Sequence, residues 1–250
     1  MKRLLTLLIC LSLLAPAAAL GGEETPLRGY AEGEGYIYVN LGRYPQTKEG
    51  EVQPILWRVL VADAETAYLC SEYILFAREL HHSLTEYAKI GSDFGQTDLC
   101  KYLNGEFSAE AFTEEELQML QVNGTFGKVF LLTSQDVKNQ NIGMGEKTNT
   151  RYSDGLRAWG TPYAAENGLF VYLAKYGKTS PYWVLDQSTT DKRHGRCTKA
   201  SAVLGHIECG RDNEGVRPAV YLDMNSFMIA AGSGTKDDPY LLTPKEPQAE

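Results

Sequence analysis

The chain predicts an α+β fold, and three features of its order carry that reading. β-rich runs stand at residues 36–41, 55–62 and 66–70. Apolar residues then recur at helical spacing between 97 and 121. β-rich runs resume at Val129 and continue to the end of the chain. Helices gathered in the first half and strands in the second exclude the alternation that builds βαβ units and a parallel sheet.

Taken in order, residues 21–35 are rich in Gly and Glu and read as a mobile leader. The runs 55–62 and 66–70 flank Asp63-Ala64-Glu65, a hairpin by pattern. Residues 72–80 read as a short helix or an irregular segment, and 81–96 as loop. Thr97 or Asp98 caps a helix whose apolar face is Leu99, Tyr102, Leu103 and Phe107. Thr113 with Glu116 is a capping box that opens a second helix reaching Gln121. Glu114, Glu115 and Glu116 suit the positive end of its dipole, so this acidic run is a helix start rather than a metal site. Residues 129–132 form a buried strand, and Ser134 starts a short helix toward Asn139. Residues 140–166 read as a long loop. Later strands are expected at 169–173, 182–185, 200–204, 216–222 and 241–242. The Asp237-Asp238-Pro239 turn precedes the last of them.

The first 20 residues have the form of a secretory signal peptide. Lys2 and Arg3 precede the apolar run 4–14, and Ala17-Ala18-Ala19 offers a cleavage site. Cys10 lies within the apolar run and is no lipoprotein cysteine. Losing Lys2 and Arg3 takes the formal charge from −8 to −10. That balance argues against nucleic acid and anionic membrane surfaces as partners, because both require basic patches. No later apolar run has membrane-spanning length. The expected location is secreted, periplasmic or in the cell envelope. Residues 36–243 are expected to form one domain and 244–250 a tail.

Five segments stand in fixed order: Leu41-Gly42-Arg43-Tyr44-Pro45-Gln46; Pro54-Ile55-Leu56-Trp57-Arg58-Val59-Leu60; Leu103-Asn104-Gly105-Glu106-Phe107 with Ala111-Phe112-Thr113; Lys128-Val129-Phe130-Leu131-Leu132-Thr133; and Gly215-Val216-Arg217-Pro218-Ala219-Val220. Together they resemble a bacterial family of unknown function whose fold is related to C-type lectins and to the formylglycine-generating enzyme. The resemblance spans about residues 36–242. It implies a C-type-lectin-like domain: two helices on an antiparallel sheet, with a loop-rich second half. Where that family has Trp-Trp-Leu-Arg, this chain has Tyr182-Trp183-Val184-Leu185, so a cation of the expected ligand face is missing. Arg217 is retained, with an expected structural role in fixing backbone carbonyls.

Four cysteines follow the signal peptide, and an even number in an exported chain reads as two disulfides in one of three connectivities. Short loops favour Cys70 with Cys100 and Cys197 with Cys209. The resemblance adds that Cys100 occupies a position where Arg is usual. It also raises a copper-thiolate oxidoreductase, for which Cys197 and Cys209 lie in the matching half of the chain. Their spacing of twelve positions is too wide for that enzyme's pair.

No other catalytic set is legible. Nucleophile elbow, phosphate loop and metalloprotease helix are all missing. His81, His82, His194 and His206 show no zinc spacing, and the Asp237-Asp238 turn offers too few oxygens for calcium. No cofactor or metal is expected. Two loops concentrate aromatic and charged residues. One holds Tyr152, Asp154, Arg157 and Trp159; the other holds Tyr182, Trp183, Asp186, Asp191 and Arg193. Rings beside Arg and Asp are the composition of recognition surfaces, although Trp183 sits among β-formers and fits a core better. The expected role is therefore a non-catalytic module recognising an extracellular glycan, peptide or protein surface.

Overall fold

The computed structural model describes residues 26–145, 155–172 and 177–245. The expected signal peptide, Tyr152 and Asp154 lie outside these residues. In chain order the strands are β1 (Tyr38–Pro45), β2 (Val52–Ala62), β3 (Thr66–Ser71), β4 (Phe76–Ala77), β5 (Leu120–Gln121), β6 (Val129–Leu131), β7 (Tyr182–Gln187), β8 (His194–Thr198), β9 (Leu204–Glu208), β10 (Gly215–Val216), β11 (Pro218–Asp223), β12 (Phe227–Ala231) and β13 (Tyr240–Pro244). The helices are α1 (Leu84–Ile90), α2 (Asp98–Tyr102), α3 (Ser108–Ala111), α4 (Glu114–Gln118) and α5 (Pro162–Glu166). A π-helical turn, Leu103–Phe107, joins α2 to α3.

The architecture is α+β with two sheets. The larger runs β12-β13-β1-β2-β3-β11-β5, with β6 also on β11, and is antiparallel except where β1 meets β13. The smaller runs β4-β10-β7-β8-β9. β10 and β11 are separated only by Arg217, so this residue marks where the chain passes from one sheet to the other.

Residues of the five ordered segments build the frame. Gly42 adopts φ +66° at a break in the β1–β2 register, and a side chain there would strike the Ala111 carbonyl and the Phe112 ring at 2.7 Å. At this break the Trp57 indole N–H donates to the Leu41 carbonyl at 2.8 Å, and the Gly42 amide donates to Glu116. Glu116 also closes the predicted capping box with Thr113, so one carboxylate ties α4 to β1. Asn104 acts as a backbone surrogate: Oδ1 accepts from the Lys128 and Val129 amides, while Nδ2 donates to the Phe126 and Val129 carbonyls. Arg217 is fully buried and donates from Nε to the Ser71 carbonyl at 2.7 Å, the structural role expected of it.

Several expectations are corrected. Residues 26–35 are not a loose leader: Leu27 is buried and the Tyr30 amide donates to the Leu60 carbonyl. The expected loop 81–96 contains α1, started by Ser83, whose hydroxyl accepts from the Glu86 amide. Residues 169–172 form no strand, because the Phe170 amide bonds to Asn213 and the Tyr172 amide to Thr179, two separate segments. The strand expected at 200–204 begins only at Leu204, after a turn in which Ala202 takes φ +57°. The 140–166 stretch holds α5, with Thr161 as its cap and Pro162 in its first turn.

Candidate functional site

The residues expected to bind a ligand do not meet at one place. Trp183 is fully buried, its indole N–H bonded to the Arg78 carbonyl at 2.7 Å. Tyr182 is buried too, with its hydroxyl on the Leu156 carbonyl at 3.2 Å. These rings are core because the β7 strand carrying them is central to its sheet. Asp186 accepts from the Ser134 amide and joins β7 to the segment after β6. Asp191 and Arg193 form an exposed pair at 2.8 Å in the β7–β8 turn, where the Asp191 side chain also accepts from the Arg193 amide. Arg157 is partly buried near Leu156. Trp159, of the described residues in that set, lines a substantial cleft.

The cysteines are likewise rearranged. All four are free and buried. Cys197 stands opposite Gly205 on β9, whereas the Cys209 amide pairs with the Arg193 carbonyl, four positions along β8. Four strand positions span about 13 Å, well beyond the limit of about 7 Å for a bridge. The same separation keeps the two thiols from sharing one copper ion. Cys70 faces the Arg58 and Arg217 side of β3, while the Cys100 thiol donates to the Phe126 carbonyl at 3.3 Å. Burial pushes the Cys100 and Cys209 thiols up to about 11 and Cys197 to about 12, so none is a ready thiolate.

A large cleft, of about 780 Å3, opens among the described residues between residues 30–38, β2, Glu72 just past β3, and the segments around 140–145 and 155–159. Tyr30, Tyr36, Tyr38 and Trp159 supply rings, and Gln140 and Asn141 supply amides. Its floor is ionic. Arg58 meets Glu72 through Nε at 2.6 Å and Nη2 at 2.5 Å, both side chains being about 4 % exposed or less. Arg58 also donates from Nη1 to the Gly155 carbonyl, and its guanidinium covers the Tyr36 ring at 4.7 Å. Lys236 reaches the second oxygen of Glu72 at 2.8 Å.

The electrostatics follow. Burial pulls the Glu72 carboxyl upward, but Arg58, Arg217 and Lys236 outweigh it and hold the group below its usual range. Burial opposes the Arg58 charge, yet Glu72 more than offsets this and its pKa rises. Tyr36 is pushed up to about 12, chiefly by burial, so its hydroxyl stays neutral. That hydroxyl lies near Arg58 but completes no hydrogen bond of normal geometry. Gly143 and Gly155 let the cleft wall close over it. A side chain at Gly155 would come within 1.8 Å of the Gly143 carbonyl, and one at Gly143 would meet the Tyr36 hydroxyl at 2.2 Å.

Sequence reasoning missed most of this site. Arg58 was visible within one of the five ordered segments, but nothing in its neighbours reveals a charge facing a cleft. Tyr30 fell in the expected leader. Glu72 and Lys236 are paired across 164 positions of chain.

A second cleft, of about 470 Å3, lies against β8 and β9. Phe170 and Tyr172, both partly exposed and edge-to-face at 6.1 Å, form one wall. Glu214 lies within it, 4 % exposed, with Oε2 buried and unpartnered; burial raises its carboxyl to about 7. Cys197 lines the same cleft.

No family model, curated protein or solved structure matches the chain. Among the described residues no helix is long and apolar enough to cross a membrane.

Proposed function

We propose that this chain is an exported, non-catalytic recognition module of C-type-lectin-like fold, and that it binds a glycan in the Arg58–Glu72 cleft. The observation that carries the reading is the pairing of aromatic rings on the wall with a buried Arg58–Glu72 pair on the floor, which the more exposed Lys236 also reaches. Sugars present C–H faces that pack on rings and vicinal hydroxyls that bond to planar, bidentate groups. Tyr30, Tyr38 and Trp159 suit the first, and Arg58, Glu72, Gln140 and Asn141 the second. The array is rigid before any ligand arrives, so binding need not order those side chains. The C-type-lectin-like assignment rests on the five segments together with the α+β, two-sheet architecture. The export reading rests on the first 20 residues.

Screening the purified protein against envelope and extracellular glycans, followed by titration calorimetry on the best binder, tests this. Trp159→Ala should weaken binding by about 2 kcal/mol or more, as for a central aromatic anchor. The melting temperature should hardly change, since Trp159 is only half-buried. Binding that survives Trp159→Ala, or turnover of any bound glycan, would overturn the proposal.

A further inference from the structure

Away from the cleft, His81, His82 and Glu86 place three potential ligand atoms within 4.8 Å of one another. We infer that these three side chains form a binding site for a divalent transition-metal ion of the zinc type, with the Asp98 carboxylate orienting His82 and lying beside the far edge of His81. Glu86 sits in the first turn of α1 and His82 just before the Ser83 cap, which brings their side chains together.

Geometry supports the site. Glu86 Oε2 lies 3.5 Å from His82 Nε2 and 3.9 Å from His81 Nε2. Ligands bonded at zinc distances in a tetrahedron stand about 3.3–3.5 Å apart. The adjustment required is small, and His82 and Glu86 are exposed enough to make it.

Two further observations point to a cation. His81 is about 97 % buried, yet its Nε2 has no hydrogen-bond partner and faces Glu86. An imidazole nitrogen buried without a partner is costly unless something binds it. On the opposite edge of both rings sits one carboxylate oxygen. Asp98 Oδ2 lies 2.5 Å from His82 Nδ1 and 3.1 Å from His81 Nδ1. The Asp98 backbone amide donates to His81 Nδ1 at 3.3 Å, which places the proton of that ring on Nε2, facing Glu86. At His82 the Asp98 carboxylate on Nδ1 favours the proton there and leaves the Nε2 lone pair toward Glu86, the arrangement that orients metal-bound histidines; His81 ligates once its proton moves from Nε2 to Nδ1, where Asp98 Oδ2 lies 3.1 Å away. The charges of Glu86 and Asp98 match a dication, while Lys89 and Lys101 border the same shallow cleft and limit the net negative charge.

Cobalt and zinc titration of the purified, untagged protein is the test, read by the visible d–d absorption of cobalt and by calorimetry. The expected result is one equivalent per chain, with a cobalt spectrum of mixed nitrogen and oxygen coordination. Glu86→Gln and His82→Ala change exposed side chains and should still fold, as circular dichroism would verify. Each should abolish the spectrum, and Asp98→Asn should weaken binding about 10–100-fold with all three ligands in place. His206→Ala serves as the control, because His194 and His206 also meet, Nδ1 to Nδ1 at 3.0 Å. Absence of uptake, uptake unchanged in Glu86→Gln and His82→Ala, or loss that follows His206→Ala instead would overturn the inference.

Discussion

Glu214 makes the second cleft a reporter of pH. Its side chain is buried, one oxygen has no partner, and burial moves its pKa from an ordinary 4.5 to about 7 despite the opposing Arg211 charge. The unfolded chain therefore loses this proton near pH 4.5, while the folded chain keeps it to about pH 7. Across that window the native state binds more protons, so stability falls as pH rises. Each tenfold change in proton affinity is worth about 1.4 kcal/mol, and the whole decline from this residue is about 3 kcal/mol. Below the window both states are protonated, and above it both are ionised, so the contribution is flat on either side. Glu214→Gln keeps the shape and removes the titration. Urea unfolding of both proteins from about pH 4 to about pH 8 isolates the effect, since every other group titrates alike in the two. The variant should gain about 3 kcal/mol on the wild type between those limits, or about 6–12 °C in melting temperature for a chain of this size. Two stability curves that run parallel across the window would refute the reasoning, because Glu214 would then ionise at its ordinary value.

Three other outcomes follow from the same structure. Glu72→Gln leaves the buried Arg58 guanidinium without its counter-charge and should cost about 3–5 kcal/mol in chemical denaturation. Gly155→Ala drives a methyl into the Gly143 carbonyl and should cost about 1–3 kcal/mol, with loss of any ligand bound in the cleft. The four buried thiols should be silent to a disulfide reagent in the native protein and should all titrate in guanidinium without a reductant. Recovery of fewer than four would restore a bridge to the account.

The frame was readable in the sequence because its residues act locally and by shape. Gly42 is required by a positive φ and a close approach to Phe112; Thr113 and Glu116 cap a helix three residues apart; Asn104 replaces backbone partners at the edge of a strand. These needs admit few residue types, so they leave a pattern. The capping signal at Ser83 and Glu86 was just as local and went unread, which hid α1. Residues 200–204 were taken for a strand on composition, but Ala202 with its positive φ turns the chain there, and β9 begins at Leu204.

The candidate sites were opaque for the opposite reason. Arg58 lies on β2, Glu72 just past β3 and Lys236 near the far end of the chain, and the rings around them, three tyrosines and Trp159, come from three separate stretches. The histidine cluster has the same character, since Asp98 reaches His81 and His82 only because α2 folds back on the segment before α1. The aromatic loops looked more promising because composition is visible without geometry, yet β7 carries Tyr182 and Trp183 into the core. The cysteines teach the same point. A bridge demands a particular distance, and the β8–β9 register sets Cys197 and Cys209 too far apart, whatever their spacing in the chain suggests. In this fold the five ordered segments mark local demands of the frame. The ligand chemistry lies on charges and rings that the frame brings together from positions with no sequence relation to one another.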